Sequence, residues 1–85
     1  MASYELRIKP SAVKELETLQ TKDRRRIVGK IQSLAEEPRP PGREKLTGQN
    51  RFRLRQGDLR IPYEVVDADS TVTVVKIGHR RDVYR

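Results

Sequence analysis

Cysteine is absent from this 85-residue chain, so neither a disulfide framework nor a thiolate metal site can form. Histidine occurs once, at His79, and an all-protein zinc site is therefore not expected. No apolar run approaches the ~20 residues that span a bilayer. No signal-peptide pattern opens the sequence either, so a reducing cytoplasm and no membrane association are expected. Tryptophan is missing, and the aromatics are one phenylalanine and three tyrosines. With only 34% apolar residues, the core must be compact, and one sheet packed against one or two helices is the economical solution. There is no internal repeat, low-complexity segment or dividing linker, so residues 1–85 read as one small domain.

What the chain has in excess is positive charge. Nineteen lysines and arginines against twelve carboxylates leave a net +7, which points to an anionic partner: nucleic acid, a membrane surface or an acidic protein.

"SYELRIK" alternates, with Tyr4, Leu6 and Ile8 on one face, as in a half-buried first strand. Pro10 breaks it and Ser11 is a candidate N-cap for a short helix carrying Ala12, Val13, Leu16 and Leu19. A second helix is predicted from Thr21, its candidate cap, to Pro38, with Asp23 in the first turn. Its apolar stripe is Ile27, Val28, Ile31, Leu34 and Ala35, and the two helices should form an αα-hairpin. "PRPPGREKLTGQN" reads as a loop. "RFRLR", the turn "QGD" and "LRIPYEVV" predict a β-hairpin, and "TVTVVKI" a central strand after the turn "DADS". Pro62 cannot donate to a ladder, so its nitrogen must face an edge or a bulge. The order is β-α-α-β-β-β: an α+β, two-layer fold with a twisted antiparallel meander, an N-terminal strand and an αα-hairpin on one face.

If Phe52, Leu54, Ile61, Tyr63 and Val65 face the core, then Arg51, Arg53, Arg55 and Arg60 share the opposite face, with Glu64 the only clear carboxylate among them. Like charges across strands are destabilising, and an anion would offset the clustering. Arginine suits phosphate because its planar fork donates two parallel hydrogen bonds. Solvated arginines on a wet sheet face are the plain alternative. In the meander, the start of the strand carrying Arg60 lies beside the end of its antiparallel neighbour, where His79 and Arg80 follow Gly78, and Tyr84 comes a few residues later. Two arginines, an imidazole and a phenol are groups that phosphodiester cleavage requires. Arginine stabilises charge but cannot act as a base, whereas histidine, with a reference pKa of ~6.5, serves as either acid or base.

"LRQGDLRIPYEVVDADSTVTVVKIGHRRDVYR" resembles the C-terminal half of toxins of the RelE/ParE superfamily from bacterial and archaeal toxin–antitoxin pairs. The pattern is an arginine after a Gly-containing turn, a Y-x-[IV] strand, an Asp-containing turn, a valine-rich strand and then I-x-H-R-R-x-x-Y. The "K-L-x-G" of Lys45, Leu46 and Gly48 also agrees. The resemblance to the RelE-like branch implies a toxin that cleaves mRNA in the ribosomal A site, without metal or other cofactor, by attack of a 2′-OH. It implies as partners a cognate antitoxin and the 70S ribosome with mRNA and ribosomal RNA.

By position, Arg60 and Arg80 match phosphate-stabilising arginines, and Tyr84 a tyrosine that assists proton transfer or stacks on substrate. Lys45, Arg51, Arg53, Arg55 and Arg81 are the residues expected to hold RNA. Where relatives frequently carry lysines this chain has Arg51 and Arg53, so the base must come from elsewhere: His79 first, Glu64 second. Two alternatives stay open, a ParE-like non-catalytic inhibitor of DNA gyrase and an inactive relative that only binds its antitoxin.

Overall fold

The computed structural model describes residues 3–48 and 50–83. Strand β1 (Glu5–Ile8) leads into helix α1 (Pro10–Glu17) and helix α2 (Thr21–Ser33). Four strands follow, β2 (Glu44–Lys45), β3 (Arg51–Gln56), β4 (Leu59–Val66) and β5 (Thr71–Val74), with a 3-10 turn at Asp67–Asp69 before the last. Two-residue strand β6 (Gly78–His79) and the single helical turn α3 (Arg80–Val83) complete the described chain. The sheet order is β1-β5-β4-β3-β2, with β6 joining β4 beyond the end of β5. The predicted α+β architecture is thus present, with two short strands that the sequence pattern did not announce. β2 to β5 are antiparallel neighbours, but β1 runs parallel to β5, so the sheet is mixed.

The core lies between the helices and one face of the sheet. Ala12, Ile27, Ile31 and Leu34 meet Phe52, Leu54, Leu59, Ile61, Tyr63, Val65, Val72, Val74 and Ile77 in one cluster. Leu16 and Leu19 of the α1 stripe are half-buried against it, while Val13 is exposed. Neither predicted cap residue acts as one. Pro10 is the first residue of α1, where its fixed φ is already helical and its missing N–H is no loss, so Ser11 falls inside the helix. Thr21 likewise opens α2 as a helical residue behind Gln20.

Two local features set up the arginine-bearing strands. The first is the β3–β4 turn of Gly57 and Asp58, where Gly57 takes φ +59° at the first central position. This matches the two-residue turns whose twist suits a hairpin. The second is the loop before β2. Arg39 grips Asp67 through two hydrogen bonds (2.8 and 3.2 Å) and also reaches Asn50, while Tyr63 Oη donates to the Pro38 carbonyl. Burial pushes the Tyr63 phenol up to about 12. Arg39 and Arg43 both stand over the Phe52 ring, and the loop so pinned delivers Glu44 and Lys45 to the edge of β3.

Pro62 sits where the sheet changes register. Tyr63 pairs with Val74, whereas Arg60 pairs with Gly78, so Ile61 and Pro62 oppose three residues, Val75 to Ile77. The Pro62 carbonyl accepts the Val75 N–H (2.9 Å), and its nitrogen therefore faces this bulge, as the missing donor requires.

Candidate functional site

The pleat assigns each side chain to a face through its cross-strand partner. Glu44 stands opposite Arg53, whose other neighbour is Pro62; Arg51 stands opposite Glu64, whose other neighbour is Thr73; and Arg55 stands opposite Arg60, whose other neighbour is Gly78. These columns alternate with the Phe52–Tyr63 column of the core, so the four arginines do share the face away from the helices. Their charge is less unbalanced than the sequence suggested. Glu44 is a second carboxylate on that face, accepting from Arg53 Nε (3.3 Å) and Nη2 (3.1 Å) and lying 3.7 Å from Arg55 Nε. Arg51 pairs with Glu64 at 3.2 Å. Arg53 is buried, not solvated. Lys45 stands opposite Phe52 and so belongs to the other face, apart from the arginines with which it was grouped.

Arg60 is the exceptional member, only 3% exposed. Its Nη1 donates to the carbonyls of Gly57 (2.7 Å) and Leu59 (3.0 Å), while its buried Nε has no hydrogen-bond partner among the described residues. A buried guanidinium with an unmet donor is costly. Arg60 opens into a cleft of about 360 Å³ that it lines with Glu44, Arg55, Arg80 and Arg81. Arg80 and Arg81 also line an adjoining concavity with Asp58 and His79. The antiparallel pairing of β4 with β6 is what brings these segments together: His79 stands opposite Leu59, and the Arg80 N–H donates to the Asp58 carbonyl at 2.9 Å.

Arg60, Arg80, Arg81 and Arg55 are therefore gathered around one cleft at one end of the sheet, while His79, opposite the core residue Leu59, lines the adjoining concavity. Glu64 is not among them, because it lies four steps of about 3.3 Å each from Arg60 along β4 and Arg51 occupies it. Tyr84 lies outside the described residues. Glu44 and Asp58 line the clefts although neither stood out in the sequence. Glu44 is hidden in a Pro/Gly-rich stretch without periodicity, and Asp58 reads as an ordinary turn residue.

The Arg53 hydrogen bonds hold the Glu44 carboxyl below the usual carboxylate range, with Arg55 and Arg60 adding to the effect. The unfolded chain, with a glutamate pKa of about 4.3, then binds more protons than the folded one near that pH. The stabilisation is present above about pH 4.3 and is lost as pH falls through the lower folded value. Glu44→Gln is expected to flatten the acid limb of stability against pH, measured by urea unfolding between about pH 3 and 6. An unchanged slope would remove Glu44 as the origin.

The family model described as ParE toxin of type II toxin-antitoxin system, parDE, matches residues 6–84. The chain belongs to this family. It is a type II toxin of the RelE/ParE superfamily. Among solved structures, it is similar to the archaeal RelE of the RelE–RelB complex from Pyrococcus horikoshii OT3, at 30% identity over 92% of this chain and 96% of that one, with a TM-score of 0.84. The intact E. coli RelBE toxin–antitoxin complex matches at 29% identity over 91% of the toxin and 96% of that chain, with a TM-score of 0.78. Toxin RelG of Mycobacterium tuberculosis (strain ATCC 25618 / H37Rv) is 38% identical over 45 residues, 53% of this toxin and 49% of that protein. The toxin thus matches about half the length of that curated relative. Among the described residues, no helix of the toxin is long and apolar enough to cross a membrane.

Proposed function

We infer that the toxin is a ribosome-dependent mRNA endoribonuclease whose scissile phosphate lies in the cleft shared by Arg60 and Arg80. The observation that carries this reading is the almost fully buried Arg60 guanidinium, held by two backbone carbonyls and lining an open cleft together with Arg55, Arg80 and Arg81. A purely structural buried arginine would be expected to have its donors met.

In this reading the ribose 2′-oxygen attacks the adjacent phosphorus and the P–O5′ bond breaks. The products are a 2′,3′-cyclic phosphate and a 5′-hydroxyl. Arg60 and Arg80 stabilise the charge that gathers on the non-bridging oxygens. His79, in the adjoining concavity, exchanges the proton, as base toward the 2′-OH or as acid toward the leaving oxygen. Tyr84 assists proton transfer or stacks on a base. Arg55 and Arg81 hold the RNA backbone from the cleft walls, Arg51 extends that basic track along the sheet, and Arg53 acts chiefly by fixing Glu44. Lys45, on the other face, is left without a part in the cleft.

Two of the similar solved structures are RelE–RelB complexes, which supports an antitoxin as the neutralising partner. An acidic, amphipathic segment over the arginine-bearing face would match its charge. The second reading, a non-catalytic inhibitor of DNA gyrase, is favoured by the ParE family model that spans residues 6–84. Parallel assays separate the two: translation of a preformed message on purified ribosomes, and supercoiling by gyrase. The nuclease reading expects loss of translation with supercoiling untouched, and the opposite pattern would replace it with the gyrase reading.

A further inference from the structure

The cleft depends on how β6 is seated, and β6 joins the sheet one residue out of step with β5. Tyr63 pairs with Val74 and Arg60 with Gly78, which leaves Val75, Lys76 and Ile77 as a bulge against Ile61 and Pro62. Pro62 offers no N–H to this stretch, and its carbonyl is taken by the Val75 N–H. Ile77, the last residue before β6, is 1% exposed, so its N–H must find an acceptor inside the protein.

That acceptor is a side chain from the other layer. Glu15 of α1 takes the Ile77 N–H on Oε1 (3.2 Å) and the Lys76 ammonium on Oε2 (2.8 Å). One carboxylate therefore bridges two consecutive bulge residues to the helix. Directly after them, Gly78 pairs with Arg60, His79 with Leu59, and the Arg80 N–H closes on Asp58. A one-residue slip in a strand turns every side chain to the opposite face, so whatever fixes the bulge also fixes where His79 and Arg80 point.

We propose that Glu15 is a positioning residue for the cationic cleft: by accepting the Ile77 N–H it fixes the bulge register that sets Arg80 beside Arg60 and His79 in the adjoining concavity. It rests on the reading of that cleft as an RNA phosphate site, although the register argument stands without it. The Ile77 N–H needs an acceptor, not a charge. Glutamine supplies one and methionine of similar length does not.

The test compares Glu15→Met, Glu15→Gln and Lys76→Met with the wild-type toxin by amide NMR and by fluorescence anisotropy with a labelled single-stranded RNA. Glu15→Met is expected to speed Ile77 amide exchange at least about tenfold and to shift the Gly78, His79 and Arg80 amides, while the core amides of β4 keep their protection. RNA affinity should fall about tenfold, as for the loss of one charge-assisted hydrogen bond. Glu15→Gln should restore both, and Lys76→Met should leave both near wild type. Uniform loss of protection across β4 in Glu15→Met, or unmoved His79 and Arg80 amides, would overturn the proposal. Should Glu15→Met not fold, the wild-type toxin decides, since an Ile77 amide exchanging at the rate of an open loop contradicts the anchor. Wild-type toxin that binds no RNA, with the amide pattern as expected, would count against the phosphate reading and leave the Glu15 anchor standing.

Discussion

Arg60→Met is expected to lower mRNA cleavage by about 10²–10³-fold, the cost of losing one donor aimed at a developing oxyanion, while leaving the melting temperature unchanged or raised. The two halves of this result come from the same observation. Arg60 is almost fully buried, and its Nε has no acceptor, so the folded toxin carries an uncompensated donor. Replacing a buried charged group by an apolar one of similar length is often neutral or stabilising. The lost bonds to Gly57 and Leu59 count against that gain, but Gly57 lies in an exposed turn where water can reach its carbonyl. Arg60→Lys is the companion variant. It keeps the charge and loses the planar fork, so cleavage should remain far below wild type. Cleavage rates paired with thermal melts check both. A melting temperature that collapses in Arg60→Met would make the residue a structural post and weaken the phosphate assignment.

Leu34→Ala is expected to cost about 2–5 kcal/mol, the range for truncating a fully buried leucine. For a domain of this size, each kcal/mol moves the melting temperature by roughly 4–8 °C. Total stability is about 0.05–0.15 kcal/mol per residue, so the variant stands near the edge of folding. Leu34 has no exposed surface and caps the end of α2, and the next residue, Ala35, accepts the Tyr4 N–H at 2.7 Å. The side chain thus holds the junction through which the helix hairpin grips β1. Urea unfolding at neutral pH measures the loss. Val13→Ala, at a 38% exposed position of α1, serves as a control expected to change stability little.

Strands β3 and β4 were legible because their apolar residues alternate strictly, and the core took Phe52, Leu54, Ile61, Tyr63 and Val65 as that period requires. Pro62 was legible as a constraint, since a residue without an N–H must face an edge or a bulge, and Val75 to Ile77 supply the bulge. That the start of β4 would meet the segment carrying His79 and Arg80 followed from the meander alone. Other features left no periodic trace. β2 and β6 are two residues each, too short to carry a pattern, and missing β2 grouped Lys45 with the RNA-holding arginines and left Glu44 out. The parallel seat of β1 beside β5 joins segments more than sixty positions apart, and no local preference encodes it. The burial of Arg53 and Arg60 ran against residue type, because arginine enters an interior only when specific partners receive it. Glu15 reads in the sequence as one more charge on a short helix. Its part emerges only when the bulge is seen to need an acceptor.

Primer extension on a message held on ribosomes with a programmed, empty A site tests the nuclease reading most directly. Wild-type toxin should cut within the A-site codon and leave a downstream fragment with a 5′-hydroxyl, and the cut should vanish with Arg60→Met and with Arg80→Ala. Intact message in every lane, together with inhibited supercoiling by gyrase, would contradict the assignment of the Arg60–Arg80 cleft to RNA cleavage.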